Sequence, residues 1–263
     1  MDDTCIAEKV KYGETPRMQE MLDDVSIWTK NIKMKLNPKK TVAIIIDPSR
    51  GKLYSNPNLT IDNEVIPVKV NTKLLGVQIN CNAKWNHYVP ECVKKANTKI
   101  FMLRKLKYFG FKTLDLLNIY KTYIRCHLEY ATPLWSQSLP LKLKYLIISV
   151  EKRCLSIILG KRVTRNNYIE CAKNLNLTTI DLRQRELLSK FGVKLCKSAK
   201  FHTWMKPHLI ISQRSRKNKN IFRPVKCTRK RYKTSSIPQL INSLNELDPE
   251  TIMKTLIYKK YIS

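Results

Sequence analysis

The chain has 263 residues, 43% of them hydrophobic, enough to bury one sizeable core or two small ones. Fifty Lys and Arg against twenty Asp and Glu give a formal charge of +30; a surplus of that size repels itself unless a polyanion is at hand, so RNA or DNA, held through its phosphates, is the expected partner. Six glycines argue against an enzyme built on glycine-rich phosphate loops, and eight cysteines placed singly, with no CxxC, argue against a zinc module.

The N-terminus, Met1-Asp2-Asp3-Thr4, is acidic where a secretion signal would be basic. Thr15-Pro16 reads as a helix start, with a capping hydroxyl and then proline at the first helical position. Met18, Met21, Leu22, Val25 and Trp28 follow at helical spacing. Leu36-Asn37-Pro38 breaks that pattern, and Thr41 to Ile46 is a β-branched run predicted to be a buried strand. After a Gly, Ser, Asn and Pro-rich loop, Val65 to Ile79 reads as a hairpin. Its turn is expected near Asn71-Thr72, with Leu74-Leu75-Gly76-Val77 on the second strand.

From Trp85 the periodicity becomes helical. Val89, Cys92, Val93, Ala96, Ile100 and Leu103 form one stripe, with Gly110 as the stop. Thr113 is placed to cap a second helix, whose face is Leu116, Leu117, Tyr120, Tyr123, Ile124 and His127, ended by Pro133. A third carries Leu143, Leu146, Ile147, Val150, Cys154 and Ile157 and stops at Gly160. Shorter helices are predicted near 167–175 and 179–198, and a last one near 237–260. Several cysteines fall on these apolar faces and read as small core residues of a chain kept reduced. No apolar run reaches the length needed to cross a membrane, so the expected location is the cytoplasm or nucleus, with neither a membrane nor an obligate protein as partner. His127 reads as a satisfied core or boundary residue, and the four histidines show no paired-ligand spacing.

Between Arg214 and Lys233 stand ten Lys or Arg and no acid: Arg214, Arg216, Lys217, Lys219, Arg223, Lys226, Arg229, Lys230, Arg231 and Lys233. Such a block is expected to be a flexible nucleic-acid-binding arm, with Phe222 and Tyr232 available to stack on unpaired bases. The predicted fold is α+β in three parts: 1–82 with short antiparallel strands, 83–200 helical, and 201–263 a basic arm with a terminal helix.

Four pieces in order carry a family likeness. They are Met1-Asp2-Asp3-Thr4; Trp28 with Lys35-Leu36-Asn37-Pro38-Lys39-Lys40-Thr41; Lys73-Leu74-Leu75-Gly76-Val77; and the helical stretch with Leu103-Arg104-Lys105-Leu106, His127 to Trp135 and Glu151-Lys152-Arg153-Cys154. Together they resemble the reverse transcriptases of non-LTR retrotransposons over about residues 1–200. The resemblance implies a partial palm followed by a helical thumb, from a parent RNA-directed DNA polymerase with an endonuclease domain upstream. It implies that Asp2 and Asp3 are the remnant of a Tyr-x-Asp-Asp turn that holds Mg2+ in the parent enzyme. Lys40 (or Lys39) would then protonate the leaving pyrophosphate, and Lys73, Leu74, Leu75 and Gly76 would grip the primer end. The family's other essential aspartate belongs to a palm strand upstream of that turn, so this chain is expected to lack a complete catalytic centre, to hold Mg2+ weakly if at all, and not to polymerise alone.

The segment from Val70 to Leu106 also resembles the helical extension before the catalytic domains of AlkB-type alkylation-repair proteins. Those dioxygenases hold iron with a His-x-Asp pair, which is absent here, as is a Gly-rich site for a methyl donor. The alternative to a polymerase remnant is a stand-alone basic helical module that binds RNA or DNA.

Overall fold

The computed structural model describes residues 4–11, 14–47, 57–196 and 222–247. They form a mixed helix-and-strand structure in two compact units, Met1–Tyr88 and Val89–Ser263.

In the first unit, helix α1 spans Met18–Asn31. Its start is fixed not by Thr15 but by Arg17, whose backbone N–H donates to both carboxylate oxygens of Glu8 at 3.0 and 3.1 Å. The helix ends in a Schellman motif: Lys33, at φ 58°, donates to Lys30 O and Met34 to Thr29 O. Only Leu22 and Thr29 are buried on it. Trp28, expected on the core face, is 55% exposed, because the packed stripe runs Met18, Leu22, Val25, Thr29 and turns Trp28 outward.

Two short antiparallel hairpins follow. Strand β1 (Thr60–Ile61) pairs with β2 (Glu64–Val65), and β3 (Asn71–Leu74) with β4 (Val77–Asn80). Each turn has positive φ at both central residues, Asp62-Asn63 and Leu75-Gly76, as a type I′ turn requires. The second hairpin therefore turns at Leu75-Gly76 and not at Asn71-Thr72, which lies on its first strand. The glycine was the signal for the turn; Leu75 at φ 47° obscured it. The side-chain amide of Gln19 docks α1 on the first hairpin, donating to Thr60 O at 3.0 Å and accepting the Thr60 N–H at 2.9 Å. Leu22, Leu59, Ile61 and Ile66 form the core, with Ile6, Met18, Leu36 and Ala43 against it. The run Thr41 to Ile46 makes a single parallel bridge, Ala43 with Val68, and Ile46 is exposed; among the described residues it joins no longer ladder.

The second unit is helical. Helix α2 (Tyr88–Tyr108) buries all six residues of the expected stripe. It ends in a Schellman motif, with Gly110 at φ 82° donating to Lys107 O and Phe111 to Leu106 O. Helix α3 (Thr113–Ile119) has Thr113 at its first turn without a side-chain cap, and passes into a π-helical segment, Tyr120–Ile124, then α4 (Arg125–Glu129). The wider π turn halts the drift of residues spaced by four, so Leu116, Tyr120, Ile124 and Leu128 all stay buried while Arg125 also turns inward. Tyr123 is exposed instead. Pro133 does not end this helix; Ala131, at φ 52°, breaks the chain, and Pro133 sits in the first turn of α5 (Thr132–Trp135).

Helix α6 (Leu141–Leu159) buries Leu143, Ile147, Val150, Cys154, Leu155 and Ile158, stopping at Gly160 with φ 67°. Helices α7 (Tyr168–Asn174) and α8 (Ile180–Cys196) follow, and then a single turn α9 (Lys230–Lys233) and α10 (Ser236–Asn245). Leu240, Ile241 and Leu244 of α10 share a core with Leu188 and Cys196 of α8. Helix α10 is thus part of the helical core; the rest of the last expected helix, from 248 on, lies outside the described residues. Cys92, Cys154, Cys171 and Cys196 are buried free thiols, as their apolar positions indicate; burial pushes Cys154 up to about 12 and Cys196 up to about 11.

Candidate nucleic-acid interface

In the second unit, the C-terminal ends of α2 and α6 lie side by side and border a shallow, open groove of about 630 Å3. Arg104, Lys107 and Tyr108 line it from α2, Arg153, Ser156 and Ile157 from α6, and Gly160, Lys161 and Arg162 from the turn that follows. Five cations face it and no acid does. The position of each side chain follows from local structure. The buried stripe of α2, which ends at Leu103, leaves Arg104 and Tyr108 on the solvent side. Lys107 Nζ donates to Ile158 O at 3.1 Å, tying the two helix ends together. Arg153 donates to Asn97 Oδ1 at 3.1 Å across the helices. Beyond Gly160 the turn is pinned by Ser156 Oγ, which accepts the Val163 N–H at 3.0 Å.

Cations at helix C-termini have an ordinary purpose, offsetting the partial negative charge of the last carbonyls. Two helix ends supply only about −0.5 charge each, so five full positive charges overcompensate them. The excess is what an anion would meet.

Behind this groove α6 carries a buried carboxylate. Glu151 is fully buried; Tyr120 donates to Oε1 at 2.8 Å, and Tyr168 and the Ile180 N–H, the latter at 2.8 Å, donate to Oε2. Arg125 stands 3.9 Å away through NH1, and its Nε contacts Glu129 at 2.6 Å as an ion pair without hydrogen-bond alignment. Burial first, then the neighbouring Glu151 charge, drives the Tyr120 and Tyr168 hydroxyls well above the ordinary tyrosine value. A carboxylate closed in by two phenols and a helix N-terminus has no access to a substrate. It joins the π segment, α6, α7 and α8, and so supports the groove from within.

The residues singled out from the sequence are not gathered into one site. Asp2 and Asp3 lie outside the described residues, as do Arg214, Arg216, Lys217 and Lys219. Lys40 is exposed in a turn, with its N–H donating to Asn37 O at 3.1 Å. Lys73 is exposed opposite Gln78 on the second hairpin, Leu74 faces Val77, and Leu75-Gly76 is the turn itself. Arg223, Lys226, Arg229 and Lys233 are exposed, and Lys230 and Arg231 fall in the turn α9. Phe222 is not a stacking platform: it is 1% exposed within the α8–α10 core, and the side chain of Asn245 accepts its N–H at 3.0 Å and donates to its carbonyl at 2.9 Å. The described part of the arm is therefore anchored at Phe222, because its ring fills a hole between apolar helices. His127 is half-buried, and its pKa is lowered by burial and by Lys99 and Lys95.

Among the described residues no group of three His, Cys, Asp or Glu could hold a metal ion, and no helix is long and apolar enough to cross a membrane. The segment likened to the AlkB-type extension comprises β3, β4 and most of α2. Comparison of the chain with protein-family models, with curated proteins and with solved structures finds no match.

Proposed function

We propose that the chain binds RNA or DNA through phosphate contacts, and that it is a remnant of a retrotransposon reverse transcriptase, the end of its palm followed by its thumb. The observation that carries nucleic-acid binding is the groove of Arg104, Lys107, Arg153, Lys161 and Arg162, which no acid enters, on a chain of formal charge +30. The descent rests on the order of the motifs: the Lys73-Leu74-Leu75-Gly76 hairpin comes directly before a run of helices, where a primer-gripping hairpin and a thumb would stand. Catalysis is not proposed for these residues, nor a metal cofactor.

The test is a fluorescence-anisotropy titration of a labelled RNA by the full chain at several salt concentrations. Affinity should fall steeply with salt, since each phosphate neutralised adds about 0.7 to 0.9 unit to the slope of log affinity against log salt. Replacing Arg229, Lys230 and Arg231 together by Ala should flatten the slope by about two to three units and weaken all sequences alike. No binding at low salt, or binding that is insensitive to salt, removes the proposal.

A further inference from the structure

We infer that the α2–α6 groove takes a single-stranded polynucleotide, its phosphates on the five cations and one unpaired base stacked on Tyr108. This rests on the nucleic-acid reading above and names the form of the ligand. Tyr108 lines the groove yet is 88% exposed. Beside it Phe109, 69% exposed, meets its ring edge-to-face at 5.8 Å. Tyr108 is the last residue of α2 and Phe109 lies in the turn before Gly110, so the Schellman motif fixes Tyr108 at the edge of the groove.

Three exposed rings of this unit already carry a cation. Lys105 lies over Phe101 at 4.9 Å, Lys99 over Tyr123 at 4.4 Å and Arg165 over Tyr145 at 5.3 Å. Among the described residues Tyr108 has no such cover, and unlike other exposed rings without one, such as Phe111 and Phe191, it lines the five-cation groove. A ring with an open face beside a phosphate track offers stacking only to a base that is not already stacked, which selects a single strand over a duplex. Cations with aromatics also suit an anionic membrane surface, but these cations line a shallow open groove between two helix ends, along which a strand can lie.

The experiment uses the full chain and four labelled ligands of equal length: oligouridylate, oligothymidylate, a base-paired duplex, and an abasic strand that keeps the phosphates. The intact chain should bind both single strands more tightly than the duplex. Tyr108→Ala should weaken single-strand binding by about 5- to 150-fold, the span of one base–aromatic stack, with the salt slope unchanged and no effect on the abasic strand. Arg104→Ala with Arg162→Ala should instead flatten the slope by about 1.4 units on every strand. Tyr108→Phe should retain binding, and the fluorescence of Tyr108→Trp should be quenched by oligouridylate but not by the abasic strand. Equal loss on the abasic strand, no loss with Tyr108→Ala, or a duplex bound as tightly as a single strand overturns the inference while leaving nucleic-acid binding intact. Failure of every polynucleotide to bind at low salt ends both. Phosphatidylserine vesicles that bind more tightly than oligouridylate, and lose that affinity in Tyr108→Ala, would replace the polynucleotide as the ligand.

Discussion

Removing the Glu151 carboxylate should cost the helical unit a large part of its stability. In Glu151→Ala three buried donors, the hydroxyls of Tyr120 and Tyr168 and the N–H of Ile180, lose their acceptor together. The Arg125 guanidinium, whose NH2 is already buried without a hydrogen-bond partner, loses one of its two neighbouring carboxylates and keeps the ion pair with Glu129. Breaking a buried charged group away from its partners costs about 3–5 kcal/mol, against a total of about 5–15 kcal/mol for a domain. At about 2–4 °C per kcal/mol for a unit of this size, the melting temperature should fall by about 6–20 °C. Tyr168→Phe, which deletes one donor and leaves the others, should cost about 1.5–3 kcal/mol. A thermal melt followed by circular dichroism gives both shifts, and the double variant should lose less than their sum because the two groups share one hydrogen bond. A Glu151→Ala shift below about 3 °C, or strict additivity, would mean that the carboxylate is not the hub its geometry describes.

The packing of α10 is tested at Gly192, where an added methyl would meet Leu240 Cδ1 and Leu244 Cδ2 at 2.9 Å; Gly192→Ala should lower the melting temperature by a few degrees, because overpacking of about 1–3 kcal/mol exceeds the helix gain of about 1 kcal/mol, and a rise would show that α10 does not seat there. Alkaline pH should destabilise the fold: Cys154 is raised from 9.0 to about 12 and Tyr120 and Tyr168 above 10.0, so the unfolded chain ionises first and stability, complete below pH 9.0, declines as pH rises through the folded values. Urea midpoints from pH 8 to 11 measure it, and a midpoint that climbs above pH 10 contradicts it. In a primer-extension assay with Mg2+ or Mn2+ the isolated chain should make no templated product; synthesis that vanishes in Asp2→Ala or Asp3→Ala would reverse the reading of an incomplete centre.

How far the fold could be read from the sequence depended on how regular each neighbourhood is. In α2 and α6 a repeat near 3.6 meets an uninterrupted helix, and the stripes from Val89 to Leu103 and from Leu143 to Cys154, with stops at Gly110 and Gly160, follow from period and glycine alone. Two residues of the second expected stripe depart from it: Leu146, at 36% exposure, and Ile157, which is half-buried and lines the groove. In the first unit each element is only a few residues long, so tertiary contacts outweigh local pattern. Gln19 fixing Thr60 and Glu8 fixing Arg17 are long-range side-chain bonds that no periodicity announces. The π segment at Tyr120–Ile124 is similarly silent: it changes the phase of a helix whose residues look continuous, exposing Tyr123 and burying Arg125.

The candidate groove was illegible for a different reason. Its cations come from Arg104 and Lys107 on one helix and from Arg153, Lys161 and Arg162 at the end of another, so no run of charge marks it, whereas the block from Arg214 to Lys233 is conspicuous. The acids that pair in this unit are used away from the groove. Glu151 is sealed in the core; Glu129 faces Arg125 and Arg183; Glu186 pairs with Arg183, and Asp181 with Arg185. These acids answer arginines of α4 and α8, and none answers the ends of α2 and α6. A net charge of +30 says only that positive charge is in surplus; at the groove five of those charges share a lining that holds no acid, beside the ring of Tyr108.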